Sequence, residues 1–485
     1  MRFILLATGF MILFCTQSVN AQPPDVAWTT VIGSVSPDEG YSVRQTTDGG
    51  YIVTGVTVSF GAGSADLYLI KTNSIGDTLW TKTFGGVSID WGESVNQTTD
   101  GGYIITGATQ SFGAGSADVY LIKTDANGNT LWTTTIGGAD DDEGYSVQQT
   151  TDGGYIITGS TQSFGAGSAD VYLIKTDASG DTLWTTTIGG VDSDIGGFVQ
   201  QTTDEGYILT GFTNSYGAGS DDVYLIKTDS SGNTLWTKTY GGADSDHGYY
   251  VQQTTDGGYI LAGYAESIGA GGNDVYLIKT TSCGSVLWEK TFGGTGNDVG
   301  ESVQQTTDGG YILTGFTNSY GAGSYDVYLI KTNSSGDTLW TKTIGGAEYD
   351  RCNSVQQTTD GGYILGGLTV SYGAGSSDVY LIKLDPETGI EVESGGSPQL
   401  TLESICPNPF SSDLSITYSV PEQTRVELAV FDLCGRLIEK LMSDQLPAGS
   451  HSAMWIPTQN TPSGCYLVVL DASGHYEVGR CLKLN

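Results

Sequence analysis

Histidine is scarce in this chain of 485 residues, which contains only three, and His247 alone lies in the repeated part of the sequence. Hydrolases with a histidine base and most catalytic zinc sites need a well-placed imidazole. The scarcity therefore argues against both classes of enzyme. The recurring Gly-Ala-Gly-Ser segments are not phosphate loops either, because no Lys-Ser or Lys-Thr pair follows them.

Basic residues are also few. The chain has 19 Lys and Arg residues against 54 Asp and Glu residues, a formal net charge of −35. A surface this acidic repels nucleic acid and anionic membranes. We therefore expect no nucleic-acid partner, and we attribute the charge to solubility outside the cell rather than to a specific basic partner.

Long apolar runs are missing beyond the first 21 residues. Arg2 precedes an apolar core over 3–15, and the small-residue sequence Val19-Asn20-Ala21 ends before Gln22. This order is typical of a secretory signal that is cleaved between Ala21 and Gln22. The apolar core is too short to span a bilayer, so no transmembrane anchor is expected.

Cysteine occurs seven times without a regular pattern. Cys15 leaves with the signal, and Cys283 and Cys352 each occur in a single repeat. The other four share the last 80 residues: Cys406, Cys434, Cys465 and Cys481. An oxidising compartment permits disulfides there, although the spacing fits no zinc site. Disulfide bridges and small buried hydrophobic side chains both remain open.

What the sequence does contain is a repeat of 52 residues in seven copies. The phrase QTTDGGY begins at Gln45 and recurs at this interval, with QTTDEGY at Gln201. Tryptophan follows the same interval: Trp28, Trp80, Trp132, Trp184, Trp236, Trp288 and Trp340. A repeat of this length holds four short strands but is too short for a domain, which is typical of a propeller blade.

Each repeat divides into four segments rich in β-branched and aromatic residues, such as LWTTTI, YSVQQT, YIITGST and VYLIKT. No helical periodicity appears. The pattern predicts an all-β protein with a seven-bladed β-propeller over residues 22–384. A spare strand, Trp28–Gly33, stands at one end, and the last repeat ends one strand short after Lys383. We expect the spare strand to close the last blade; the alternative is an open solenoid with capped ends.

Aspartate recurs at three positions of every repeat. One set precedes the YSV strand: Asp38, Asp90, Asp142, Asp194, Asp246, Asp298 and Asp350. A second precedes VYLIK: Asp66, Asp118, Asp170, Asp222, Asp274, Asp326 and Asp378. The third is the turn residue Asp48 and its equivalents. Antiparallel alternation predicts that the first two sets share one face of the propeller and that the turn set lies on the other.

These carboxylates allow two interpretations. A surface of fourteen carboxylates would suit a cation or another ligand. The interpretation we favour is that each aspartate accepts hydrogen bonds from its own loop and fixes a turn. Only Asp140-Asp141-Asp142-Glu143 is dense enough for calcium. The divergent stretches Thr281-Ser282-Cys283 and Tyr349-Asp350-Arg351-Cys352 are interpreted as drift among near-identical copies.

The repeat pattern ends after Lys383. Residues 385–401 read as a linker, and residues 402–485 as a separate small β domain with five predicted strands: Leu414–Val420, Arg425–Phe431, Ser452–Ile456, Tyr466–Leu470 and Val478–Leu484. Short motifs recur in order along it, and their main residues are Pro407, Asn408, Pro409, Phe410, Gly435, Arg436, Gly449, Gly464 and Tyr466.

With these motifs, the segment resembles the type A C-terminal sorting domain of proteins exported by the type IX secretion system of Gram-negative bacteria. The resemblance implies an immunoglobulin-like sandwich that addresses the chain to the outer-membrane translocon and is commonly removed on arrival. Cys434 and Cys465 depart from the aliphatic residues usual in that family. The repeats in turn resemble bacterial seven-bladed propeller repeats of large secreted proteins, which implies a fold and not an activity.

Together these features predict a secreted or cell-surface protein of a Gram-negative bacterium that passes through the periplasm, behaves as a monomer and binds a glycan or protein ligand without catalysis. One alternative is a glycan hydrolase with paired carboxylates. Another is a cation-dependent adhesion module. We expect no metal or other cofactor, and calcium is the cation that the adhesion alternative would need.

Overall fold

The computed structural model describes residues 22–387, 400–406, 410, 412–432, 436–458, 461–472 and 475–483. The predicted signal, with Ala21, lies outside the described residues, and Gln22 is the first residue inside them. Most of the predicted linker also lies outside. Within the described ranges the chain folds into strands, and no helix has the length and apolar character that crossing a bilayer requires.

Seven antiparallel sheets of four strands are built from the described residues 26–384. The first blade is β2 (Asp38–Gln45), β3 (Tyr51–Thr57), β4 (Asp66–Thr72) and β5 (Thr78–Phe84), and the second is β6 (Asp90–Gln97), β7 (Tyr103–Thr109), β8 (Asp118–Thr124) and β9 (Thr130–Ile136). The third is β10 (Asp142–Gln149), β11 (Tyr155–Thr161), β12 (Asp170–Thr176) and β13 (Thr182–Ile188), and the fourth is β14 (Asp194–Gln201), β15 (Tyr207–Thr213), β16 (Asp222–Thr228) and β17 (Thr234–Tyr240). The fifth is β18 (Asp246–Gln253), β19 (Tyr259–Ala265), β20 (Asp274–Thr280) and β21 (Val286–Phe292), and the sixth is β22 (Asp298–Gln305), β23 (Tyr311–Thr317), β24 (Asp326–Thr332) and β25 (Thr338–Ile344). The seventh blade is β26 (Asp350–Gln357), β27 (Tyr363–Thr369), β28 (Asp378–Leu384) and β1 (Val26–Ile32).

The N-terminal strand closes the ring. β1 pairs antiparallel with β28, so that Trp28 lies opposite Lys383 and Ile32 opposite Val379. The first strand of each blade is innermost, and β2 packs against both β6 and β26. The predicted closure is confirmed, and the open solenoid is excluded. Closure pairs the edge of the buried strand β28, where another chain would otherwise add a strand.

Neighbouring blades are joined by the residues that define the repeat. The indole of Trp28 in the seventh blade packs against Tyr51 of the first, with ring centroids 5.7 Å apart. Across the same junction, the Thr359 amide donates to Gln45 Oε1 at 2.9 Å. Equivalent hydrogen bonds of 2.8–3.0 Å, from a threonine amide to a glutamine side chain, join all the remaining pairs of neighbouring blades. These contacts explain why tryptophan, tyrosine and glutamine recur at fixed positions.

The hydrophobic core lies between the blades. Every residue of β4, from Asp66 to Thr72, is buried, as are the equivalent strands of the other blades. Strands covered on both faces carry near-continuous apolar runs, as the VYLIK segments do. The Trp-bearing strands are outermost, and almost all of their residues are exposed or half-buried. Burial therefore follows the position of a strand in the blade and is nearly the same in all copies.

The C-terminal residues form a β-sandwich of two sheets. One sheet has β29 (Thr401–Cys406), β30 (Leu414–Val420) and β33 (Gly449–Trp455). The other has β32 (Leu437–Leu446), β31 (Thr424–Asp432), β34 (Gly464–Ala472) and β35 (His475–Lys483). The five predicted strands are present. β29 and β32 were missed because one begins inside the predicted linker and the other buries none of its described side chains, so neither shows a clear alternation.

Candidate ligand-binding site

The axis of the propeller holds a cavity of about 620 Å³ that all seven blades line. Its wall comes from the innermost strands, and one repeat position contributes a residue from every blade. We call these residues the inner ring: Tyr41, Glu93, Tyr145, Gly197, Tyr249, Glu301 and Asn353. Arg44, Arg351, Phe198, Phe212 and Tyr250 complete most of the wall. A concave site with convergent polar groups on an aromatic lining is the usual form of a small-molecule site.

Two of the three tyrosines of the inner ring are hydrogen-bonded to a glutamate two residues earlier. Tyr41 donates its hydroxyl to Glu39 at 3.0 Å, and Tyr145 donates to Glu143 at 2.6 Å. Burial, followed by the nearby glutamates, raises the pKa of both tyrosines far above its usual value. They therefore stay protonated and keep donating, which holds their rings against the cavity wall.

Two carboxyl groups of the inner ring are poorly solvated. Desolvation raises the pKa of Glu93 to about 7, with further upward contributions from Glu143 and Glu301 and opposing ones from Arg351 and Trp91. Desolvation also raises the pKa of Glu301, against the opposing charge of Arg351. Both shifts have the same main cause, because protein atoms surround each carboxylate on most sides in the wall of the axial cavity.

Positive charge in the wall comes from two arginines. Arg44 donates Nη1 to the Val43 carbonyl at 2.8 Å and to Ser354 Oγ at 3.0 Å. Arg351 lies 4.0 Å from Glu39. Burial acts to lower the pKa of Arg351, but the surrounding tyrosines and glutamates raise it, so the guanidinium stays charged. The interpretation of Tyr349–Cys352 as drift overlooked that Arg351 enters the cavity wall.

An aromatic cluster adjoins the cavity at blades four and five. His247 stacks on Phe212 with ring centroids 3.9 Å apart and on Tyr264 at 4.8 Å. Its Nε2 is 3.1 Å from Asp221. Burial lowers the pKa of His247, while Asp221 opposes the shift. Phe212 lines the cavity directly, so this cluster extends the aromatic wall outward.

The first two aspartate sets share one end of the propeller, which we call the aspartate face. Asp38 pairs with Thr57 across one strand junction, and Thr57 pairs with Asp66 across the next. Asp38 accepts from Thr57 Oγ1 and from the Ser34 amide at 2.8 Å, and Asp66 accepts from the Ala62 amide at 2.9 Å. Both are buried. These bonds are the ones that the turn-fixing interpretation predicts.

The turn aspartates lie at the opposite end, which we call the turn face. Asp48 accepts from Thr46 and from the Gly50 amide, and it pairs with the buried ammonium of Lys71 at 3.0 Å. Desolvation acts to raise the pKa of Asp48, but these donors lower it overall. The same pair recurs in the other six blades. The recurring lysine of VYLIK is therefore structural.

The stretch Asp140–Glu143 does not form a cluster of metal ligands. Asp142 is buried and accepts from the Gly138 amide at 2.6 Å, while Glu143 is engaged by Tyr145. Among the described residues, no group of three or more His, Cys, Asp or Glu side chains is placed to hold a metal ion. Cys283, Cys352, Cys406, Cys465 and Cys481 are free thiols.

The inner ring was missed from the sequence, although comparing the copies position by position would have found it. The position two before the inner ring holds Glu39, Trp91, Glu143, Ile195, His247, Val299 and Arg351. By contrast, Val43 and Gln45 are the same in every copy. Positions such as Val43 agree in every copy while the inner ring differs, which marks the axis as a diversified surface.

The sorting-motif residues lie in the C-terminal sandwich. Pro407, Asn408, Pro409 and Gly435 lie outside the described residues. Phe410 and Tyr466 are buried and flank Trp455, with ring centroids 5.4 and 5.2 Å from it. Arg436 pairs with Asp432 at 3.0 Å. Gly449 and Gly464 begin strands at φ values of 130° and 153°. The described motif residues are thus mainly core and turn positions.

Comparison with known proteins identifies the C-terminal segment. Residues 404–482 match the family described as the secretion system C-terminal sorting domain. The chain is also 26% identical over 285 residues to the regulatory protein FlaEY of Caulobacter vibrioides, an alignment that covers 50% of this chain and 29% of that protein. The chain therefore spans less than a third of that relative.

Two solved structures show only distant similarity. A protein of unknown function from Dyadobacter fermentans DSM 18053 has a TM-score of 0.40 and 11% identity, covering 75% of this chain and 99% of its own. A puromycin hydrolase has a TM-score of 0.44 and 10% identity, covering 83% and 62% respectively. Neither bears on the function.

The sorting domain implies interaction with the type IX secretion machinery, and it indicates secretion or attachment to the surface of a Gram-negative bacterium. The sheets of residues 26–384 and their closure through β1 make the preceding part a propeller. The protein is therefore a secreted β-propeller of seven four-stranded blades in its described part, carrying a C-terminal sorting domain of the type IX secretion system.

Proposed function

We propose that the protein is a non-catalytic binding protein whose ligand occupies the axial cavity. One observation carries this proposal: the copies differ at the inner ring and two positions before it, in the same strands whose positions Val43 and Gln45 are identical in every copy. Fold stability alone asks for the same side chain in every blade, as it does at Val43 and Gln45. A single asymmetric ligand on the axis asks for a different side chain from each blade.

Glycan hydrolysis is a second candidate, because Glu93 has a raised pKa and shares the cavity with Glu301. A raised pKa suits a general acid. A glycosidase, however, also needs a carboxylate that stays ionised, and its two environments push the two pKa values apart. Desolvation raises the pKa of Glu301 as well. This shared direction favours binding over hydrolysis.

A surface of cation-binding aspartates is less favoured. Asp38 and Asp66 already accept hydrogen bonds from their own loops, and their equivalents occupy the same register positions in every blade. Binding a cation there would displace bonds that hold the loops of the aspartate face.

The proposal is tested with a substitution that fills the axial cavity. Gly197 lies in the inner ring, and a Cβ built there meets no atom closer than 3.4 Å. Gly197→Tyr therefore adds a ring to the cavity in a strand position where three copies already carry tyrosine. Ser179→Tyr, in an exposed turn-face loop, is the matched control. Both proteins are compared with the wild type on a panel of oligosaccharides, amines and peptides, with binding and product release measured together.

We expect ligands of the wild type to be retained by Ser179→Tyr and lost by Gly197→Tyr, with equal melting temperatures. Binding that survives Gly197→Tyr would place the site elsewhere. Release of product from an oligosaccharide, abolished by Glu93→Gln, would make the protein a hydrolase.

A further inference from the structure

We propose that the axial cavity recognises an organic cation, namely an ammonium or guanidinium group; this proposal rests on the cavity being the ligand site. Three features support it: the excess of negative charge in and next to the wall, the interleaving of tyrosines with glutamates, and the extension of the aromatic surface on one side.

Carboxylates outnumber cations around the cavity. Glu93 and Glu301 line it, and Glu39 and Glu143 accept the hydroxyl hydrogen bonds of the lining residues Tyr41 and Tyr145. Against these four stand two guanidinium groups, Arg44 and Arg351. Arg44 is bonded to Val43 and Ser354, and Arg351 faces Glu39. The charges that line the cavity are therefore balanced, and Glu39 and Glu143 next to the wall give the site an excess of two negative charges when all groups are ionised.

Aromatic rings alternate with these carboxylates. Around the inner ring, Tyr41, Tyr145 and Tyr249 stand in the first, third and fifth blades, with Glu93 between the first two and Glu301 after the third. Rings placed beside a cation attract it through their negative π faces, and the attraction grows when water is excluded. Tyrosine hydroxyls that donate to carboxylates, as those of Tyr41 and Tyr145 do, fix the rings in place.

The aromatic wall is widest at blades four and five. Phe198 and Tyr250 are in contact with ring centroids 3.8 Å apart, and Phe212 continues the wall toward the stacked His247. A cation attached to an apolar stem would place the stem here and its charged end beside Glu93 and Glu301. The cavity volume of about 620 Å³ accommodates a small amine or one protruding basic side chain of a peptide.

The electrostatics of the empty cavity agree with this chemistry. The pKa of Glu93 is raised to about 7 because desolvation and the charges of Glu143 and Glu301 outweigh Arg351. A bound cation would supply the missing positive charge and favour the ionised form of Glu93. The affinity for a cation is therefore expected to rise between pH 6 and pH 8.

The test uses titration calorimetry of the whole protein at low ionic strength. Agmatine, which carries an amine and a guanidinium, probes free cations. The peptide acetyl-Gly-Arg-Gly-amide probes a basic side chain, and cellotetraose serves as a neutral glycan. We expect one agmatine or one peptide to bind per protein, and the stronger of the two identifies the source of the cation.

We expect variants of the glutamates and of Arg351 to change the affinity for the cation in opposite directions. Glu93→Gln and Glu301→Gln should each weaken the binding of the cation by about ten-fold or more. Arg351→Gln should strengthen it, because a competing cation leaves and Glu39 becomes available. Glu205→Gln, which removes the same charge from the exposed turn face, should change nothing. The rise in affinity between pH 6 and pH 8 should become smaller in Glu93→Gln, where Glu301 is the remaining carboxyl group of the inner ring.

Failure to bind both agmatine and the peptide would overturn the proposal, as would weaker binding by Arg351→Gln or unchanged binding by both glutamine variants. Cellotetraose that binds the wild type but not Gly197→Tyr would overturn cation recognition while leaving the axial cavity as the ligand site. Cation binding that persists in Gly197→Tyr would contradict both proposals.

Discussion

Glu93 shows how one residue of the inner ring acts on the whole fold. Its pKa in the folded protein, about 7, lies above the ordinary value of 4.5. The folded state therefore holds a proton that the unfolded state has already lost between these pH values. The resulting stability is fully present below about pH 4.5 and is lost as the pH rises to about 7.

Replacing Glu93 by glutamine removes this dependence. We expect Glu93→Gln to match the wild type at pH 4 and to exceed it at pH 8 on the order of 2 kcal/mol, a value reduced for partial contact with solvent. Urea unfolding of both proteins from pH 4 to pH 8 measures the difference, and Glu205→Gln is the control. Equal free energies of unfolding for the wild type and Glu93→Gln at pH 8 would show that the wall of the axial cavity does not desolvate Glu93.

Glu205 carries a local strain that the other copies avoid. It has a φ of 66°, and among the described residues it is the sole non-glycine residue with positive φ. The equivalent residues Gly49, Gly101, Gly153, Gly257, Gly309 and Gly361 have φ values of 81–87°. Glycine adopts this conformation without the steric cost that a Cβ brings.

Glu205→Gly should therefore stabilise the protein by about 1 kcal/mol, since the relief of strain exceeds the entropy cost of glycine. The reverse change in another copy, Gly153→Glu, should destabilise it by a similar amount. Thermal unfolding of the two variants measures both. A lower melting temperature for Glu205→Gly would mean that the glutamate side chain makes a contact worth more than its strain.

Among the elements, β1 has the largest effect on the ring because it supplies the fourth strand of the last blade. Deleting residues 22–32 leaves β28 as an unpaired edge and removes Trp28 from its contact with Tyr51. We expect a strongly lowered melting temperature and association through the exposed edge. Light scattering and thermal unfolding measure both effects, with deletion of residues 22–23 as the control. A monomer with unchanged melting would contradict closure through β1.

The blades could be predicted from the sequence because each repeat carries its own evidence. Gln45 and its equivalents accept the same hydrogen bond in every copy, and Trp28 and its equivalents make the same ring contact. A residue type that recurs at one repeat position therefore indicates a structural role. The cavity depends instead on differences between copies and on closure, which brings Tyr41 beside Arg351 across more than 300 residues. Because we interpreted the copies as equivalent, we did not identify Glu93 and Arg351 as site residues. A site on the axis of a repeat protein consists of residues that differ between the copies.

At the scale of the whole molecule, the propeller and the sorting domain have separate cores and separate tasks. The propeller closes its own hydrogen-bond network through Gln45 and Thr359. Deleting residues 400–485 should therefore leave a folded propeller that crosses the inner membrane but stays in the periplasm. Cell fractionation of the native host measures its location. Truncated protein on the surface in the same amount as the full chain would show that the sandwich does not direct export.

The most direct test of the account is a crystal structure of the protein with the strongest binder found among agmatine, acetyl-Gly-Arg-Gly-amide and the oligosaccharides. We predict density for that ligand on the propeller axis, in contact with Glu93, Glu301 and Tyr249. A ligand bound on the outer surface of a blade, with the axial cavity unchanged, would contradict the account.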